Sequence, residues 1–205
     1  MEIRLLIFIA LVSAAILTKL TWQKGYRVFK LLPLLFIFAL AFLRPQNVDT
    51  LWLAAISFGL AGDALLLSEK GFVPGLASFL LGHVFYILAF ARETGGFFYT
   101  PPLLLGVGSV VIGVSSYFVR HLLQSRQKKY IVPVIIYTFV SGLFVLNAFR
   151  FPFFSYAVCG AVCFGLSDFL LAFNKFIRPS WYVQAAVSLT YYGAQWMLAL
   201  HFRSL

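Results

Sequence analysis

Apolar residues fall in blocks of about 16 to 22 positions, separated by short polar or charged turns. Helices of that length cross a hydrocarbon core of roughly 30 Å. Runs such as LLPLLFIFALAFL at 31–43 do not alternate with period two, as the strands of a transmembrane barrel would. The pattern predicts an all-α, polytopic membrane helical bundle of eight transmembrane helices, forming one domain over 1–205. The spans are expected near 3–18, 29–43, 51–67, 73–91, 101–119, 130–149, 153–173 and 181–202. An even number of crossings puts both termini on the same side. The longest polar connection is RHLLQSRQKKY at 120–130. The first block follows MEIR, without a clearly basic start, and VSAA is a weak cleavage site, so it reads as a retained helix.

Composition sharpens this picture. The chain is 62% hydrophobic and 11% charged, against about 25% charged in soluble domains. The net charge of +10 fits anionic headgroups and the positive-inside rule. No basic tail or aromatic-interleaved basic patch points to nucleic acid. Arg4, Arg44, Arg92, Arg150 and Arg203 fall on one side of the eight-span arrangement, and the other eleven basic residues on the other. The termini are therefore expected outside, in a bacterial inner (cytoplasmic) membrane. Cys159 and Cys163 stand four apart on one helix, a poor geometry for a disulfide, and read as small packing residues.

Only two of the six acidic residues, Asp63 and Asp168, fall inside apolar spans. A carboxylate at the centre of a spanning helix costs about 2.5–3.5 kcal/mol to insert and by default marks a functional site. The two segments echo each other: Phe58-Gly59-Leu60 and Phe164-Gly165-Leu166 each run into the aspartate. Asp63 is expected four residues before the end of its span and Asp168 five before the end of its own, so both lie roughly 6–8 Å inside the same boundary. Glycines around them favour close helix approach. His83 falls near mid-span and can relay a proton. Tyr137, Tyr191 and Gln195 add hydrogen-bonding groups, the last two on one helical face. Lys30, Asn174 and Lys175 are candidates to hold an anionic phosphate. No histidine pair has metal-ligand spacing, so no metal is expected. No Gly-x-Ser-x-Gly elbow is present either.

At these residues the chain resembles the YhhN family of membrane proteins. The resemblance rests on KLLP (30–33), GDALLL (62–67), FVPGLASFLLGHVFYI (72–87), SDFLLAFNKF (167–176) and YYGAQWMLA (191–199). It implies an eight-span enzyme that hydrolyses the vinyl ether bond of lysoplasmalogens from the bilayer. The products would be a fatty aldehyde and glycerophosphoethanolamine or glycerophosphocholine. It also implies that Asp63 and Asp168 are essential. No cofactor is expected. Vinyl ether hydrolysis needs a proton donor, an anion to stabilise an oxocarbenium ion or activate water, and a dry pocket. Two close carboxylates supply the first two when one keeps its proton and the other stays ionised. His83, Tyr137, Tyr191 and Gln195 would then position the ether oxygen or water. A proton-coupled transporter and a lipid-binding protein with structural aspartates are the rival readings.

Overall fold

The computed structural model describes residues 2–43, 48–97 and 99–202. Arg44 and Arg203, counted above for orientation, lie outside them. Every regular element among the described residues is helical. The long helices are α1 (Glu2–Thr21), α2 (Gln23–Phe29), α3 (Leu32–Phe42), α4 (Thr50–Leu65), α5 (Phe72–Thr94), α6 (Pro101–Gln124), α7 (Ile131–Ala148), α8 (Tyr156–Phe176) and α9 (Trp181–His201). Five segments among the described residues are long and apolar enough to cross a membrane. They are Gly25–Phe42, Phe72–Thr94, Pro101–Gln124, Lys128–Ala148 and Tyr156–Phe176, and Thr50–Leu65 is a shorter apolar helix. The molecule is a multi-pass membrane helical bundle.

Local chemistry sets the helix ends. Asp49 caps α4, its side chain accepting from the N–H groups of Leu51 and Trp52 at 2.8 and 3.0 Å, which satisfies two otherwise orphaned donors. α5 stops at Gly95, whose φ of 74° is the left-handed conformation glycine takes without steric cost. Between α2 and α3 the helix is broken at Lys30 and Leu31, with Pro33 in the first turn of α3. Proline has no N–H to donate and its ring crowds the carbonyl four residues back. The segment Gly25–Phe42 is therefore divided between two helices, and their junction falls at a lysine.

Neighbouring helices pair as antiparallel hairpins: α4 with α5, α6 with α7, and α8 with α9. α5 also packs on α7, and α1 packs on α2, α3 and α9. Trp52, Tyr86, Phe90, Phe144 and Phe164 build the main core. A smaller cluster joins Phe72, Phe118, Leu122, Val134 and Phe176, where α5 begins and α6 and α8 end. In a bilayer, packing and hydrogen bonds hold helices together, and small residues permit close approach. At Gly62 a Cβ would come within 2.8 Å of the Phe79 ring, so a larger residue would force that buried ring to shift where α4 and α5 meet. α6 is peripheral, with only Phe118 and Leu122 buried. Its loose seating leaves a groove against α7 and α8.

Candidate active site

Asp168 sits on α8, eight residues before its end. α7 turns two hydroxyls toward it, one helical turn apart. Tyr137 donates to Oδ1 at 2.8 Å and Ser141 donates to Oδ2 at 2.9 Å. From α5, His83 brings Nε2 to 3.2 Å from Oδ2, an ion-pair distance without hydrogen-bond alignment. The other ring nitrogen, Nδ1, lies 2.8 Å from the Phe79 carbonyl. The imidazole is 1% exposed and is enclosed by the edges and faces of Tyr137, Phe144 and Phe164.

Asp63 sits two residues before the end of α4 and is 3% exposed. Lys30, from the break between α2 and α3, approaches Oδ1 to 3.2 Å and donates to the Asp63 backbone carbonyl at 3.1 Å. That carbonyl is one of the helix-end acceptors that lack an intrahelical donor. Its neighbours Gly62, Ala64 and Leu65 are satisfied by the N–H groups of Leu66, Leu67 and Ser68. A cation at a helix C-terminus is also favoured by the helix dipole. Tyr192 donates to the Lys30 carbonyl at 2.6 Å, fixing the broken segment from α9. The second carboxylate oxygen, Oδ2, and the Tyr191 hydroxyl are both buried without a well-formed hydrogen bond. They lie within electrostatic reach of each other.

Two cavities meet at Asp168. The first is a groove of about 710 Å³ between α6, α7 and α8, almost wholly apolar, with Tyr137, Ser141 and Asp168 as its main polar wall. It extends from Pro102 to Phe118 on α6, about 24 Å at 1.5 Å per residue. Exposed Val110, Val162 and Leu166 line its opening, so it faces the lipid side of the bundle. The second cavity is about 40 Å³ and is lined by both Asp63 and Asp168, with Lys30, Ser167, Ser188, Tyr191 and Tyr192 adding polar groups. The two carboxylates thus share one small polar chamber. They do so although α4 ends two residues past Asp63 and α8 runs eight residues past Asp168, so counting from span ends does not describe their placement.

The remaining residues singled out in the sequence lie elsewhere. Gln195 is buried one turn from Tyr191 and accepts a hydrogen bond from Tyr86 at 2.7 Å, lining neither cavity. Asn174 is committed to the turn between α8 and α9: its Nδ2 donates to Gln184 and its Oδ1 accepts from the Ser180 N–H. Lys175 is exposed, its ammonium 4.9 Å from the centre of the Phe72 ring. Ser141 was not anticipated. Its signal was its position four residues after Tyr137, on the same face of α7. Among the described residues no group of three or more metal-ligating side chains converges.

The YhhN family profile matches residues 25–202. The human lysoplasmalogenase TMEM86A is 31% identical over 192 residues, covering 88% of this chain and 76% of that protein. The human lysoplasmalogenase TMEM86B is 30% identical over 139 residues, 68% of this chain and 57% of that protein, so the match spans little more than half of that relative. The Escherichia coli membrane protein YhhN is 36% identical over 99 residues, 46% of this chain and 47% of that protein. No solved structure matches.

Proposed function

The chain belongs to the YhhN family, and we propose that it is a lysoplasmalogenase-like hydrolase that cleaves a vinyl ether lipid at Asp168 and Asp63. One observation carries this reading: Asp168 stands where an apolar groove open to lipid meets a small polar chamber that also contains Asp63. The alkenyl chain occupies the groove, which brings its vinyl ether to Asp168. The chamber is large and polar enough to admit water.

The surroundings of the two carboxyls divide their labour. Asp63 is paired with the Lys30 ammonium and serves as the ionised partner, its free Oδ2 facing the chamber beside Tyr191. Asp168 serves as the acid. Its proton goes to the β-carbon of the vinyl ether, which forms a C–H bond and leaves an oxocarbenium ion. Asp63 stabilises that cation and takes a proton from water as the oxygen adds, giving a hemiacetal. The hemiacetal hydroxyl returns its proton to Asp168, and Asp63 protonates the departing glycerol oxygen. One water is consumed, and a fatty aldehyde and a glycerophospho-alcohol leave. This is the division of roles between paired carboxyl groups that glycosidases use for oxocarbenium-like transition states.

The same reading extends to topology. Eight crossings, counting α2 and α3 as one, put the basic turns at 125–130 and 177–180, with Arg126, Lys128, Lys129 and Arg178, in the cytoplasm and both termini outside. The break at Lys30 favours a second reading, because carriers place ion sites at interrupted helices. The two readings separate with detergent-purified protein and 1-alkenyl lysophosphatidylethanolamine, with its 1-alkyl and 1-acyl analogues as controls. The hydrolase releases fatty aldehyde from the alkenyl lipid alone. A carrier releases none and instead moves protons in proteoliposomes.

A further inference from the structure

Hydrogen-bond chemistry restricts the protonation of His83. A carbonyl oxygen can only accept, so the Nδ1 that lies 2.8 Å from the Phe79 carbonyl carries a hydrogen. In the neutral imidazole Nε2 is then a bare lone pair, and it stands 3.2 Å from Asp168 Oδ2. A lone pair and a carboxylate oxygen repel each other at that distance, in a setting where the imidazole is 1% exposed. One proton relieves the repulsion, on either side. Its two forms are an imidazolium beside a carboxylate and a neutral imidazole beside a carboxylic acid.

We propose that His83 and Asp168 hold a single proton between Nε2 and Oδ2, and that this pair, rather than Asp168 alone, is the acid of the site. The groups around it agree. Tyr137 from α7 donates to Oδ1 and stays protonated. Tyr86, one turn along α5, gives its hydroxyl to Gln195. Asp63 and Lys30 lie across the chamber as a compensated pair. No other charged group faces the ring among the described contacts. His83 lines neither cavity, so it touches no substrate and is a positioning residue that stores the proton Asp168 delivers. On transfer to carbon, Oδ2 loses the proton, the imidazole is left neutral with its Nδ1–H intact, and collapse of the hemiacetal restores the pair. The pairing rests on the 3.2 Å approach of Nε2 to Oδ2 and on the Nδ1 hydrogen facing the Phe79 carbonyl, and it takes a small rotation of the ring or carboxyl to align; only its role as the acid rests on the hydrolase reading.

Two measurements on the full chain in detergent test this. His121→Gln and His201→Gln leave His83 the only one of the three histidines, and its ring is read by ¹⁵N NMR without substrate. Nδ1 is expected to carry its hydrogen, and the Nε2 signal to stand away from that of a bare neutral imidazole nitrogen and to revert toward it in Asp168→Asn. In His83→Gln the rate at neutral pH is expected to fall about tenfold or more, and the alkaline limb to move to lower pH, with activity recovered on the acid side. Asp168→Asn is inactive at every pH. A His83 ring with its proton on Nε2 and a bare Nδ1 overturns the proposal, as does a His83→Gln rate lowered by one factor at every pH. If the wild-type protein releases no aldehyde while the ring behaves as expected, the hydrolase reading falls and the shared proton stands.

Discussion

Lys30 has two tasks at one point: it neutralises the Asp63 carboxylate and occupies a carbonyl that the end of α4 leaves without a donor. Burying two charges costs several kcal/mol each and is offset only while both are present. Lys30→Met is therefore expected to destabilise the protein by about 3–5 kcal/mol in a denaturant titration. Adding Asp63→Asn to it should recover much of that loss, because the stranded carboxylate is gone; no recovery would mean the ammonium matters only as a cap. Around Asp168 the hydroxyls of Tyr137 and Ser141 fix the direction of the carboxyl. Tyr137→Phe and Ser141→Ala are each expected to slow aldehyde release about tenfold and to lower Tm by only a few degrees, since each deletes one hydrogen bond worth about 0.5–1.5 kcal/mol. The two aspartates were legible in the sequence because a charge inside an apolar span needs a reason. Ser141 was not, because a single serine in a membrane helix more often closes on its own backbone, as Thr138 does here on Val134.

Among the elements, α6 is the one whose packing is least complete, and its gap is where the groove lies. Gly142 on α7 lines that groove, and a Cβ placed there would stand 2.2 Å from Val111 Cγ2 on α6. Gly142→Leu is expected to obstruct the groove and raise KM about tenfold for a long alkenyl chain, with a smaller effect on a short one; one lost apolar contact is worth roughly 1–3 kcal/mol. Equal effects on both chain lengths would place the chain elsewhere. Helical character was legible from the absence of any period-two pattern and from the lengths of the apolar blocks. The break at Lys30 was signalled by Pro33 alone, and a proline near a span boundary is equally compatible with a helix that starts there. Asn174 and Lys175 share a motif with Asp168, yet the last two turns of α8 carry them away to the turn and the surface. Sequence adjacency does not predict whether residues six or seven positions along a helix share a site.

For the whole molecule, the α4–α5 and α8–α9 hairpins and the α2–α3 junction enclose a chamber with two carboxyls, while α6, α7 and α8 leave one flank open to lipid. Which helices contribute to that chamber depends on how hairpins distant in sequence pack together, and no local pattern encodes that. If the chain crosses eight times, single cysteines introduced at Ser125 and Arg178 should react with an impermeant thiol reagent only from the cytoplasmic side, and one at Glu2 only from the other. Labelling of all three from one side would contradict that topology. The most direct test of the central claim is aldehyde release from 1-alkenyl lysophosphatidylethanolamine by wild type, Asp63→Asn and Asp168→Asn, each first shown to be folded. Aldehyde is expected from the wild type, with at least a 100-fold loss in both variants, about the lower limit of general acid–base catalysis. Aldehyde release that survives Asp168→Asn, or a folded wild type that yields none, would contradict it.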